Sequence, residues 1–116
     1  MKKINIIKSS RDFDRIIKNN KPYKYKDYVI YIEYNTNDVY KFGISAGKKL
    51  GNAVNRNKIK RQVRAIIAEN DYQNNFNCII IVGRGINEKS FEERKTNLLM
   101  ALSNLNITKE NTNEKK

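Results

Sequence analysis

The chain has 116 residues, with 24 Lys and Arg against 12 Asp and Glu, a formal net charge of +12. That length supports one hydrophobic core and not two, and the charge excess points to a polyanionic partner. The absence of His removes Ser-His triads, His-based nucleases and most zinc sites, and the single Cys78 excludes an internal disulfide framework.

A lone cysteine also fits a reducing compartment, and the longest apolar run, Cys78 to Val82, is far too short to span a bilayer. Met1-Lys2-Lys3 is followed only by Ile4 and Ile6-Ile7 before charge returns, so it makes no signal peptide. The expectation is a soluble cytoplasmic protein.

Ser9 or Ser10 is placed to cap a first helix, with Asp12 in its first turn. Phe13, Ile16 and Ile17 follow at helical spacing on one face. Pro22 ends the element by pushing Lys21 out of helical geometry. Tyr28 to Tyr34 is β-branched and aromatic almost throughout and reads as a strand. Asn35 to Asp38 makes a turn, and Val39 to Ser45 alternates as a second strand, so the two read as an antiparallel hairpin.

A long helix is predicted from Asn52 or Ala53 to Asn70. Cys78 to Val82, apolar at every position and followed by Gly83 and Gly85, reads as a central strand covered on both faces. Ser90 and Glu93 make a capping box for a last helix, whose apolar stripe continues through Leu98, Leu102 and Leu105. Residues 109–116 are all polar or charged and read as a disordered tail, leaving 1–108 as one domain.

The charge is not spread evenly. Thirty consecutive residues between Asp38 and Glu69 contain no carboxylate, yet hold Lys41, Lys48, Lys49, Arg56, Lys58, Lys60, Arg61 and Arg64. At 100° per residue, Ile59, Val63, Ile66 and Ile67 point one way from the long helix. Arg56, Lys60, Arg61 and Arg64, with Asn57, form a cationic stripe beside that seam. A merely solvated face would normally carry acidic partners. Arg is the minority base in this Lys-rich chain, but three of its seven copies lie between positions 56 and 64, where a planar fork suits phosphate. Gly47 and Gly51 flank Lys48 and Lys49 ahead of the helix, a weak phosphate-loop pattern without Walker spacing.

On the first strand Tyr28, Ile30, Ile32 and Tyr34 share one face, and Val29, Tyr31 and Glu33 the other. Aromatics on a sheet beside a basic element are a common way to hold single-stranded nucleic acid. Tyr28 and Phe42 read as core. Tyr31 is balanced between core and stacking surface, and Phe13 either lines the same groove or staples its helix to the sheet.

The spacing Gly51-x-Ala53-Val54-x-Arg56-Asn57-x-x-Lys60-Arg61-x-x-Arg64 resembles the signature of the bacterial ribonuclease P protein family. The similarity extends from Phe13 to about Leu105, through the strand around Tyr28 to Tyr31, Phe42-Gly43-Ile44-Ser45, Ile79-Ile80-Ile81 with Arg84, and the capped final helix. It implies an α+β single domain of order αβββαβα around a four-stranded sheet, with a further short strand near Lys24 to Lys26. It also implies a left-handed βαβ crossover through the basic helix, against the usual preference.

The same resemblance implies the protein subunit of a ribonucleoprotein that removes the 5′ leader from precursor tRNA. The active site is then on the catalytic RNA, which holds most of the Mg²⁺, with no catalytic residue or metal site in the protein alone and no membrane or small-molecule cofactor. Lys48, Lys49, Asn52, Arg56, Asn57, Lys60, Arg61 and Arg64 would face the catalytic RNA, and Phe13, Ile17 and Tyr31 would line the leader cleft. Ile17 stands where the family often has an aromatic, and Gly83-Arg84-Gly85 replaces a frequent Arg-Pro, which implies a looser loop. A ribosomal or general RNA-binding protein without a role in cleavage is the alternative.

Overall fold

The Ser9 hydroxyl accepts the Asp12 N–H at 3.3 Å and opens α1, Ser10–Asn19. In the computed structural model, which describes residues 2–109, six further elements follow. They are β1 (Tyr23–Tyr25), β2 (Tyr28–Tyr34), β3 (Tyr40–Ser45), α2 (Ala53–Ile67), β4 (Phe76–Val82) and α3 (Phe91–Asn104). The order is αβββαβα, and β1 is the short strand that local pattern alone does not reveal. Of the polar tail, only Lys109 is among the described residues, and its N–H donates to the Asp71 carbonyl at 2.8 Å.

The sheet order is β1-β2-β4-β3, which overturns the expected hairpin: β2 and β3 are not neighbours. β4 lies between them, antiparallel to β2 and parallel to β3, with Phe76 opposite both Tyr34 and Tyr40. An apolar strand left at an edge would expose unpaired backbone beside apolar side chains. Inserting it gives it two ladders and two covered faces. The segment joining β2 to β3 therefore steps over the start of β4, and Asn75 fastens it. Asn75 accepts from the Asn35 N–H at 2.9 Å and donates to the Val39 carbonyl at 3.1 Å. Its side chain accepts the Asp38 N–H at 2.6 Å.

Even-numbered residues of β2, β3 and β4 face the main core, against Ile59, Val63, Ile66 and Ile67 of α2 and Leu98, Ala101 and Leu102 of α3. The capping box opening α3 is present in full. α2 stops at Ile67, three residues before the predicted end, because the N–H groups of Glu69 and Asn70 fold back to Ile66 and Ile67. The buried Tyr72 hydroxyl also donates to the Ile67 carbonyl, at 2.7 Å, giving that group a second donor at the helix end. Cys78 is free and fully buried, and burial pushes its thiol pKa well up, so it behaves as a small apolar residue.

α1 covers the opposite face together with Ile7 of the segment before it. Ile16 and Ile79 are fully buried between helix and sheet, with Phe13, Ile17, Tyr31 and Ile81 half-buried around them. Gly43 lets the helix come this close: a Cβ there would lie 2.7 Å from Phe13 Cζ and 2.9 Å from Ile79 Cδ1. One end of α1 is pinned electrostatically. Arg15 donates to both Glu33 carboxylate oxygens, at 3.0 and 2.9 Å, and to Asp12 at 2.6 Å. Asn77 adds a 2.9 Å bond to Glu33. The Arg15 hydrogen bond, followed by that of Asn77, holds the Glu33 carboxyl below its ordinary range, against the opposing effect of desolvation.

Two outcomes follow from this docking. Gly43→Ala should cost about 1–3 kcal/mol by overpacking Phe13 against Ile79, read as a lower urea midpoint. For Glu33, the folded-state pKa is the depressed one. Its stabilisation is therefore complete above the unfolded value and is lost as pH falls through the folded value. Glu33→Gln should lower the urea midpoint at pH 7 and shrink the wild type's loss of stability on acidification, measured by parallel urea titrations at neutral and acidic pH.

Candidate nucleic-acid interface

Asn52 caps α2, its side-chain oxygen accepting the Asn55 N–H at 3.0 Å. Before it, Lys48–Leu50 forms a 3-10 turn, and Gly51 follows with φ +112° and ψ −156°, a conformation suited to glycine. The N–H groups of Leu50 and Gly51 already bond to the Gly47 and Lys48 carbonyls, at 3.0 and 3.1 Å. Those two donors are engaged internally, so the glycine pair shapes the turn, and the cations it carries are what it presents.

Asn55, which occupies an unspecified position of the motif, holds this turn in place. Its amide donates to the Leu50 carbonyl and, at 3.0 Å, to Asn87 Oδ1. Asn87 in turn donates to the Leu50 carbonyl at 3.3 Å. Arg94 fixes the neighbouring level, donating to Gln62 at 2.7 Å and to the Ile86 carbonyl at 3.0 Å. Nothing local in the sequence marks Asn55, Gln62, Asn87 or Arg94, because the Asn55–Asn87, Asn87–Leu50 and Arg94–Gln62 contacts each span more than thirty positions.

The loop after β4 is tied to the turn between β1 and β2. The Gly83 N–H donates to the Asp27 carbonyl at 2.7 Å, and Lys89 pairs with the Asp27 carboxylate at 2.7 Å. Gly85 has no Cβ to clash with that carboxylate.

On this framework Lys48, Lys49, Asn52, Asn57, Arg61 and Arg64 are exposed, while Arg56 and Lys60 are half-buried. Among the described residues the ion pairs use Arg15, Lys89 and Lys95, and none uses a cation of this stripe. Arg56 Nε is shielded from solvent without an acceptor among the described residues. The stripe is thus a run of cations that the fold itself leaves uncompensated.

Phe13, Ile17 and Tyr31 come together on the α1 side of the sheet, all half-buried in one cluster. Phe13 both staples α1 to the sheet and lines a groove. Tyr28 and Phe42 are core, at 0% and 1% exposure. A groove of about 450 Å³, lined by Phe13, Lys3, Lys8, Lys60 and Arg64 among others, joins this cluster to the cationic stripe. The groove thus meets the stripe at Lys60 and Arg64 and the cluster at Phe13. No cluster of three or more carboxylate or thiol groups among the described residues could hold a metal ion. None of their helices is long and apolar enough to cross a membrane.

The family profile described as Ribonuclease P matches residues 1–106. The ribonuclease P protein component of Lactococcus lactis is 40% identical over 115 residues, covering 96% of this chain and 97% of that protein. That of Mesoplasma florum is 37% identical over 101 residues, covering 84% and 92%. Among solved structures, the ribonuclease P protein of Staphylococcus aureus superposes with TM-score 0.80 at 29% identity, covering 90% of this chain and 98% of that one. The protein from Thermotoga maritima gives 0.71 at 28% identity, covering 80% and 90%. With the αβββαβα order, the Gly51-to-Arg64 spacing and the uncompensated basic helix, these matches show that the chain belongs to the bacterial ribonuclease P protein component family.

Proposed function

We propose that this chain docks on the catalytic RNA of ribonuclease P through Lys48, Lys49, Asn52, Arg56, Asn57, Lys60, Arg61 and Arg64. In the same complex it holds the 5′ leader of precursor tRNA against Phe13, Ile17 and Tyr31. The observation that carries this reading is a groove that brings Phe13 of the aromatic cluster beside Lys60 and Arg64 of the unpaired cationic stripe. Family membership favours it over a general RNA-binding protein.

Each group has a physical task. The stripe neutralises phosphates and releases counterions, which supplies affinity and strong salt dependence. The aromatic rings offer flat surfaces to unpaired bases, each worth about 1–3 kcal/mol. Ile17 keeps the cleft wall apolar without offering a ring. Placing both surfaces on one rigid body fixes the leader relative to the RNA that cuts it, and such positioning lowers the entropic part of a barrier. Family membership leads us to assign Mg²⁺ and the hydrolytic step to the RNA, and the protein's share is binding and orientation.

The decisive assay is cleavage of precursor tRNA by a bacterial ribonuclease P RNA at low Mg²⁺, with and without this protein. Strong stimulation is expected, and no stimulation would overturn the reading. Arg56→Ala and Arg61→Ala should each weaken binding to the RNA and flatten the logarithmic salt dependence by about one unit. Tyr31→Ala should instead reduce the preference for leader-bearing over mature tRNA about tenfold, with the salt slope unchanged. Both are measured by binding titrations over a range of salt.

A further inference from the structure

One row of residues crosses the whole sheet on the side that α1 covers. Lys24 of β1 pairs in register with Val29 of β2, Val29 with Ile81 of β4, and Ile81 with Ser45 of β3. Val29, Ile81 and Ser45 are half-buried and Lys24 is exposed, whereas the adjoining row holds the fully buried Ile79. The Phe13, Ile17 and Tyr31 cluster borders this row and shares Ile81 with it. Beyond Ser45 the chain runs through Ala46 and Gly47 into Lys48 and Lys49. The row is thus a partly open floor, apolar in the middle, with cations at both ends.

The β1 end is strongly basic. Lys18, Lys21, Lys24 and Lys26 are all exposed, and none makes an ion pair among the described residues. Asp14, one turn before Lys18, is exposed and unpaired as well, and Asp27 is engaged by Lys89. Tyr23 and Tyr25 face the main core, leaving Lys24 as the β1 side chain on the α1 side. The outer strands are three inter-strand spacings apart, about 14 Å, so a single strand entering from the α2 side reaches β1 within a few nucleotides.

We propose that Lys24, supported by Lys18 and Lys21, is a second phosphate contact for the single-stranded leader, reached only by nucleotides that have passed beyond the aromatic cluster. The inference rests on reading that cluster as the leader cleft. It makes Lys24 a residue that contributes to affinity only when the leader is long enough to reach β1. Lysine on an edge strand also discourages strand pairing between proteins, a role that predicts no such dependence.

The test uses the reconstituted holoenzyme, titrated with precursor tRNAs carrying a short leader or a long one, and with mature tRNA. For the wild type, affinity should rise from mature to short to long leader. Lys24→Glu should lose about fivefold on the long leader, the scale of one exposed charge contact, with a salt slope reduced by about 0.7. Short-leader and mature tRNA binding should be unchanged, and Lys24→Arg should restore the long-leader value. If Lys24→Glu keeps the full long-leader gain, or loses as much on the short leader, this inference fails while the cleft reading stands. If the wild type shows no leader dependence at all, both fail.

Discussion

Strand β4 presents Ile79 and Ile80, both fully buried, to opposite faces of the sheet, and this double burial dictates the architecture around it. A strand with two apolar faces requires a neighbour on each side and a layer above and below. The neighbours are β2 and β3, which is why those two cannot be a hairpin. The layers are α2 with α3 on one side and α1 on the other. A helix of ten residues cannot cover a four-stranded sheet, so part of the α1 face stays open, and the candidate leader cleft is that uncovered remainder.

The basic helix solves two problems with two faces. Its apolar seam closes the main core, and its cations are carried on the rim, where no acidic side chain answers them among the described residues. Among the described residues the ion pairs are Arg15 with Glu33 and Asp12, Lys89 with Asp27, and Lys95 with Glu69. The stripe's charge therefore stays available to an external polyanion.

Much of this was legible in the residues. The spacing of Ile59, Val63, Ile66 and Ile67 identified the buried seam of α2, Ser90 and Glu93 identified the start of α3, and the tyrosine-rich run identified β2 to the residue. Strand partnership was not legible. A turn-like Asn35 to Asp38 between two strands looks the same whether the strands pair or part, and only the distant Asn75 distinguishes the cases. The site followed the same rule. Its cations stood out because side-chain charge is a local property, while Asn55 and Asn87, which hold the turn that presents them, meet across 32 positions.

The separation of β2 from β3 bears on how the molecule assembles. Apart from a single bridge from Ile6, β3 has no strand partner until β4 arrives on the far side of α2. Closing that ladder across the intervening segment pairs residues 36 positions apart, and non-local closure of this kind slows folding. The segment is also the most self-repelling stretch of the chain. Any polyanion that relieves the repulsion thereby favours completion of the sheet, since a ligand that binds only the folded form stabilises it. A polyanion bound across this segment of the folded chain would therefore stabilise the completed sheet against unfolding.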